Sequence, residues 1–236
     1  MAEYIYGRNA VMQLLKLQKV SRLFFATENT ETLFVDIAKK DKVPFKTVSN
    51  KELIDLVKTD KHQGVVALIE DYKCYDISVI ETIRDKENPV IVILDEVSDP
   101  QNFGAILRSA DEFGVDFVIV KSRNQSPLNA TAVKASAGAA YYVKVIEVSN
   151  ISNAIKYLKD RAYWVLGLAG EAKQNIYQFD YSGRTALVFG NEGDGISLLV
   201  KRNCDALLSI PTVGHVGSLN VSVSVGIALA NIKNKI

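Results

Sequence analysis

Three segments carry side chains whose types and spacing could support chemistry. In the first, Leu94-Asp95-Glu96-Val97-Ser98-Asp99-Pro100-Gln101-Asn102-Phe103-Gly104-Ala105-Ile106-Leu107-Arg108, Asp99 is a good helix N-cap and Pro100 suits the first helical position. Asn102 then falls in the first turn, with Arg108 roughly 9 Å further along the axis, so that both can serve a ligand held over the helix. Taken singly, a helical arginine is more often a surface ion-pair partner. The second segment, Phe189-Gly190-Asn191-Glu192-Gly193-Asp194-Gly195, follows an apolar run and spaces its glycines Gly-x-x-Gly-x-Gly. Such a loop lets backbone and ligand approach closely, or serves only as a turn. Its spacing matches neither the dinucleotide fingerprint nor the phosphate loop with its Lys-Ser/Thr ending. The third, Ile210-Pro211-Thr212-Val213-Gly214-His215-Val216-Gly217-Ser218-Leu219-Asn220, leads from a strand into a helix with Ser218 as the expected N-cap. His215 could act as a base or be an ordinary loop histidine.

Elements must position these loops, and the apolar pattern says which. Continuous apolar runs at Val90–Leu94, Phe117–Val120, Ala162–Leu168, Ala186–Phe189 and Ala206–Ile210 read as strands buried on both faces of a parallel sheet. Helices are expected between most of them, over Asn102–Phe113, Ser149–Lys159, Ser197–Arg202 and Leu219–Asn231. The apolar side of the last helix should be covered either by the core or by a second copy. Open parallel sheets bind ligands beyond the carboxyl ends of their strands, where all three segments fall.

Before residue 73 the pattern differs. A helix over Arg8–Lys19, a strand over Arg22–Ala26, a helix over Thr30–Lys40, a strand over Phe45–Val48, a helix opened by the capping box Ser49-Asn50-Lys51-Glu52, and a strand over Gly64–Ile69 form a small α/β unit. Residues 73–88 mix charges with scattered apolar positions, stop at Asn88-Pro89 and read as a linker with room for one helical turn or two.

Composition bounds the function. The chain has 236 residues, of which 48% are hydrophobic, enough for packed cores. Its start resembles no signal peptide and no stretch nears the roughly 18 apolar residues of a membrane span, so a cytoplasmic protein is expected. Cys74 and Cys204 lie far apart, and with His62 and His215 they support neither a disulfide framework nor a metal site. Basic and acidic residues number 28 and 27, a net of +1, which is no signature of nucleic-acid binding. Locally, 117–146 carries Lys121, Arg123, Lys134 and Lys144 without an acid, and 206–236 also lacks one, so phosphate contacts could concentrate there.

Together and in this order, the three segments resemble the motifs of SpoU-class RNA 2′-O-methyltransferases. Tyr6-Gly7-Arg8-Asn9-Ala10-Val11, His62-Gln63-Gly64, and Leu128–Thr131 through Gly138–Ala140 extend the resemblance to the members that methylate guanosine in bacterial 23S rRNA. The resemblance implies an L30e-like RNA-binding domain over residues 1–72 and a linker over 73–88. It further implies a parallel-sheet catalytic domain with a deep trefoil knot over 89–236, working as a homodimer with S-adenosyl-L-methionine as cofactor and no metal.

Carried over by position, the resemblance makes Asn102, Arg108, Glu192, Ser218 and Asn220 catalytic. It assigns Gly190, Glu192, Gly195, Ile210, Ser218, Leu219 and Asn220 to the cofactor. For RNA the candidates are Arg8, beside Tyr4, Tyr6 and His62, and Lys121, Arg123 and Lys134 if their segment borders the catalytic mouth. The expected reaction is in-line attack of a ribose 2′-oxygen on an activated methyl group, with Arg108 stabilising the developing alkoxide and Glu192 holding Asn102 or Arg108. A tRNA or antibiotic-resistance rRNA ribose methyltransferase, and a non-catalytic RNA-binding or ribosome-assembly protein, are the alternatives.

Overall fold

The computed structural model of the chain describes residues 3–26, 32–215 and 217–236. Expectations placed on Met1, Ala2, Thr30 and Val216 lie outside the described residues. In the first part of the chain β1 (Glu3–Tyr6), α1 (Arg8–Lys16), β2 (Val20–Ala26), α2 (Thr32–Lys40), β3 (Phe45–Val48), α3 (Asn50–Val57) and β4 (Val65–Ile69) form a four-stranded sheet of order β1-β4-β2-β3 with its helices. Strand β4 runs antiparallel to β1 and β2, and β3 is parallel to β2. The Ser49 capping box is present, with Ser49 Oγ accepting from Glu52 N and the Glu52 carboxylate accepting from Ser49 N. Helix α1 stops at Lys16 rather than Lys19 because Gln18 turns left-handed at φ 56°. Lys19 N then bonds Leu14 O at 2.9 Å and Gln18 N bonds Leu15 O at 2.9 Å, a Schellman closure without the usual glycine.

The remainder builds one eight-stranded, all-parallel sheet. Its elements are β5 (Cys74–Tyr75), β6 (Val90–Asp95), α4 (Pro100–Glu112), β7 (Phe117–Lys121), α5 (Ala130–Ala135), β8 (Lys144–Val148), α6 (Ile151–Lys159), β9 (Trp164–Leu168), β10 (Gln174–Asn175), β11 (Thr185–Gly190), α7 (Leu198–Asn203), β12 (Ala206–Ser209) and α8 (Val221–Lys233). The strand order is β10-β12-β9-β11-β6-β7-β8-β5. The central β6 and β11 are buried along their whole length, as their unbroken apolar runs require.

Residues 73–88 carry the helical turns expected of them and, beyond that expectation, a short strand. Strand β5 pairs with β8 at the sheet edge, Asp76 caps a 3-10 helix over Ile77–Ile83, and Ile80 is buried against Ile91, Ile93 and Ile146. The i, i+3 spacing of Ile77, Ile80 and Ile83 is the period of that helix.

The apolar face of α8 belongs to the core. Val221, Val225, Ala228, Leu229 and Ile232 are buried, with α8 packed on α4, while Val223 stays exposed. Helix α4 also meets α5 at a close approach, since a Cβ on Gly104 would lie 2.4 Å from Ala135 Cβ and 2.5 Å from Ala132 O. A mid-helix glycine costs roughly 1 kcal/mol against alanine, a cost the close packing offsets.

The small unit sits on the 130–141 segment. Lys134 Nζ lies 4.0 Å from the Tyr6 ring centroid, Tyr141 OH donates to Glu70 O at 3.0 Å, and Leu17 contacts Gly138. One apolar cluster runs from Leu14 and Ile69 to Val133 and Ala140. Among the described residues no helix is long and apolar enough to cross a membrane.

Candidate functional site

Strands β6 and β11 are neighbours, but the chain leaves β6 toward β7 and β8 and reaches β11 from the flank of β9. Loops that depart in opposite directions open a crevice at such a switch point. Asp99 caps α4 there, accepting from Gln101 N at 3.1 Å and Asn102 N at 3.3 Å, which aims the Asn102 side chain across the crevice. Asn102 Nδ2 donates to Glu192 Oε1, and Asn102 Oδ1 accepts from Asn220 Nδ2 at 2.9 Å. One hydrogen-bonded chain thus joins all three segments.

Its polarity follows from helix α8. Asn220, not Ser218, is the N-cap, with Oδ1 accepting from Ser222 N at 2.9 Å, Val223 N at 3.4 Å and Ser222 Oγ at 2.6 Å. With Oδ1 committed to the helix, only Nδ2 can face Asn102, which must offer its oxygen there and its amide N–H to Glu192. The helix therefore begins two residues later than expected. The Asx cap supplies a better-placed acceptor than Ser218, which remains exposed at the cavity.

Beside this chain lies a cavity of about 460 Å³ walled by residues 168–171, 189–196 and the strand-to-helix segment after β12. Gly190, Glu192, Gly195, Ile210, Ser218 and Leu219 line it, and Asn220 sits between the lining residues Leu219 and Val221. Gly190 is required sterically, because a Cβ there would come within 1.9 Å of Gly195 C. The loop closes on itself through Asn191, whose Oδ1 accepts from Gly193 N at 2.9 Å and Asp194 N at 2.7 Å. Two contributors were missed by sequence reasoning. Buried Asp95 accepts from Ser197 N at 2.9 Å and ties the end of β6 to the glycine loop. Leu168-Ala169-Gly170-Glu171, with Glu171 bridged to Lys201 at 2.5 Å, forms another wall. Its position after a parallel strand was the available signal.

Arg108 is exposed on α4 and is absent from the cavity wall. Among the described residues it makes no hydrogen bond or ion pair, so Glu192 holds Asn102 and not Arg108. The guanidinium faces solvent with all its donors available.

The basic candidates do not form one strip. Lys121 is paired with Glu96 at 2.6 Å, and that pairing holds the Glu96 carboxyl below its usual range. Counting acids along 117–146 could not reveal Glu96, which arrives from the neighbouring strand end. Lys134 stacks on Tyr6, and burial lowers its pKa. Arg123 is exposed. In the small unit, Arg8 donates from its backbone N to Gln63 Oε1 at 2.9 Å and lines an open hollow of about 720 Å³ with Asn9, Asn50, Asp60 and His62. His62 is buried and its Nδ1 accepts from Gly64 N at 3.1 Å, closing a turn. Tyr4 packs edge-on against Phe24. His215 is exposed. No group of three His, Cys, Asp or Glu that could hold a metal occurs among the described residues.

Comparison with known proteins bears on this geometry. Residues 89–230 match the model of the SpoU rRNA Methylase family, and residues 4–75 match that of RNA 2′-O ribose methyltransferase substrate binding. The chain is 38% identical to the 23S rRNA (guanosine-2′-O-)-methyltransferase RlmB of Escherichia coli K12, over 97% of each chain. It is also 38% identical to that of Haemophilus ducreyi, over 98% of this chain and 97% of the relative. The crystal structure of the SpoU methyltransferase AviRb from Streptomyces viridochromogenes in complex with AdoMet shares the fold. Its TM-score is 0.79 at 20% identity, over 98% of this chain and 89% of that one. A TrmH/SpoU tRNA modifying enzyme of A. aeolicus gives 0.57 at 28% identity, covering 67% of this chain and 82% of its own.

Proposed function

The chain belongs to the SpoU rRNA methylase family, and from that premise we propose that it methylates a ribose 2′-oxygen of 23S rRNA, at a guanosine, with S-adenosyl-L-methionine. The observation that carries the reading is the chain Glu192–Asn102–Asn220 at the rim of the cavity. It ties three separate loops into one edge.

The cavity fits the cofactor. About 460 Å³ lies within the usual range of small-molecule sites, and its apolar Leu168, Phe189, Leu208 and Ile210 suit an adenine ring. The bare backbone at Gly195, where a Cβ would meet nothing within 4 Å, permits close approach, and Glu171, Glu192 and Asp194 are compatible with ribose hydroxyls and with a cationic sulfonium. When bound, S-adenosyl-L-methionine supplies a methyl group activated by positive charge on sulfur.

The chain's own residues do the positioning. The glycine loop and residues Ile210, Thr212 and Leu219 flank the transferring group. Asn220 and Glu192 set the Asn102 amide, and Ser218 adds a hydroxyl at the mouth. Arg108 orients the substrate ribose and stabilises negative charge developing on its 2′-oxygen. A guanidinium keeps its proton above a pKa of about 12, so the ribose proton passes to an RNA phosphate or to solvent.

The same reading divides the chain into an L30e-like RNA-binding domain (1–72), a connecting segment (73–88) and a catalytic domain (89–236), supported by the two family-model matches. A trefoil knot in the catalytic domain is supported by the match of residues 89–230 to the SpoU rRNA Methylase family. A homodimer is supported by exposed Leu198, Leu199 and Val213. The cytoplasm is the compartment where ribosomal RNA would be met. The small unit, matched over residues 4–75 by the substrate-binding family model and included in the 97% overlap with the 23S rRNA enzyme of Escherichia coli, favours the ribosomal substrate.

The test is transfer of labelled methyl to total RNA from a strain lacking the protein, followed by mapping. A single 2′-O-methylguanosine in 23S rRNA is expected. Label in tRNA would overturn the substrate, and no label despite tight RNA binding would overturn the enzyme.

A further inference from the structure

At the opposite, amino-terminal end of the large sheet lies a second hollow of about 190 Å³, lined by Ile80, Glu81, Arg84, Arg161, Tyr163 and Arg184. Arg84 ends the 3-10 helix, Arg161 follows α6, Tyr163 directly precedes β9 and Arg184 directly precedes β11. The length of those strands, roughly 17–20 Å, separates it from the methyl-transfer site.

Its chemistry is one-sided. Three guanidinium groups meet one carboxylate, a net of two positive charges among the lining residues. Arg161 is held in place, donating from Nε to Glu81 Oε1 at 2.5 Å and from Nη1 to Tyr157 O at 3.0 Å, with its guanidinium 3.5 Å from the Tyr157 ring centroid. Arg184 donates from Nη2 to the Arg84 carbonyl, and Arg84 lies 3.5 Å from Asp85 Oδ1. A guanidinium has five N–H donors, so each retains several that these bonds leave unused.

A second, independent observation points the same way. Tyr163 is 3% exposed, with the Arg184 guanidinium against its hydroxyl and 5.6 Å from its ring centroid, and because a guanidinium only donates, the phenol proton has no acceptor among the described residues. A buried phenol O–H without an acceptor is destabilising by about 1–3 kcal/mol unless something takes its hydrogen bond. Burial raises its pKa, so it remains a donor at neutral pH. The hollow therefore offers donors from several sides and only one carboxylate among its lining residues, Asp85 meeting Arg84 from outside them.

We propose that this hollow binds a phosphate-class oxyanion, held by the Arg84, Arg161 and Arg184 guanidinium groups and the Tyr163 hydroxyl. Guanidinium forks match tetrahedral oxyanions two bonds at a time. The volume falls below the usual range of about 300–1,000 Å³ for small-molecule pockets, so it takes one phosphate group and not a whole nucleotide. That group is either free phosphate or one phosphate of an RNA backbone whose remainder stays outside.

The experiment is a calorimetric titration of the full chain with inorganic phosphate, against chloride at matched ionic strength. One saturable site per chain is expected, weakened roughly tenfold in Arg184→Gln and in Tyr163→Phe, the loss of about one good hydrogen bond. Tyr163→Phe removes a single oxygen, so it keeps the test valid should the arginine variant unfold. No saturable binding beyond chloride, or equal binding by wild type and both folded variants, overturns the proposal. With the site established, the salt dependence of binding to a 23S rRNA transcript identifies the source. A slope shallower by about 0.7–0.9 in Arg84→Gln assigns the phosphate to RNA, and an unchanged slope assigns it to free phosphate. The phosphate titration is independent of the methyl-transfer reading.

Discussion

The cavity beside β11 and the hollow of the small unit are built in opposite ways. Loop backbone makes much of the first, with Gly190 pressed on Gly195, Asn191 closing its own loop, and Asn102 and Asn220 spending their side chains on holding other chain segments. Side chains make the second, where Arg8, Asn9, Asn50 and Asp60 stand around an open depression. A backbone-walled cavity has a shape that tolerates little substitution and suits one small ligand. A side-chain-walled depression adapts, and suits a large partner whose affinity is spread over many weak contacts. Arg108 lies outside both, on a helix that the cavity's hydrogen bonds hold in place.

The largest effect expected from this contrast is in Arg108→Ala. Methyl transfer should fall by about 10²–10³-fold while cofactor affinity stays unchanged, because Arg108 is absent from the cavity wall. Single-turnover rates with a parallel cofactor titration measure both, and loss of cofactor binding would abolish the distinction between cavity and arginine. Next comes Gly190→Ala, whose Cβ meets Gly195 backbone. It should cost about 1–3 kcal/mol by overpacking and weaken cofactor binding. Asn9→Ala in the open hollow should leave thermal stability within about 0.5 kcal/mol, so similar losses at the two positions would break the comparison.

A smaller effect is the coupling between Asn102 and Asn220. Alanine at each and at both should show a non-additive term of about 1 kcal/mol in transfer rate, whereas Asn102 and Arg8 should add independently. Smaller again is Arg123→Ala, which should make the salt dependence of RNA binding shallower by about 0.7–0.9. Lys121→Ala should change it less, since that charge is already paired with Glu96.

The last effect is absent at neutral pH. Tyr181 sits beneath α8, donating to Ile176 O at 2.9 Å and accepting from Asn231 Nδ2 at 3.3 Å, and burial pushes its pKa up to about 12. A pKa raised above the unfolded value of about 10 means that the folded state favours the neutral phenol. Its contribution is complete below pH 10 and lost as pH rises through about 12. Urea denaturation across that window should show a steep alkaline loss, flattened in Tyr181→Phe. An unaltered slope would mean that the helix presenting Asn220 is not seated on this group.

Local chemistry made much of this fold legible. The apolar runs became β6, β7, β9, β11 and β12, Ser49 and Asp99 capped their helices, and Val221–Val225 proved helical despite its strand-like alternation. Errors came where a short or unusual signal governed the backbone. Gln18 in place of a C-terminal glycine hid the end of α1, the Asn220 cap hid the start of α8, and two-residue β5 is too short to show a period. At the site, six of the seven residues expected around the cofactor line the cavity and Asn220 lies between lining neighbours, whereas Asp95 and the 168–171 wall went unseen. Their role depends on which loop the sheet order brings opposite them.

By itself the sequence determined the strand and helix segments, the glycines that permit close backbone approach, and the side chains available at three loops. These depend on local φ/ψ preference and on alternating or continuous burial, which neighbouring residues set. Tertiary structure alone decided that Glu192 meets Asn102 across 90 residues and Asn220 meets it across 118. It also decided that, among the described residues, Lys121 is paired and Arg108 is not. Those outcomes follow from the order β9-β11-β6-β7, a property of how the whole sheet packs, since hydrogen bonds between distant segments form only after their strands lie side by side.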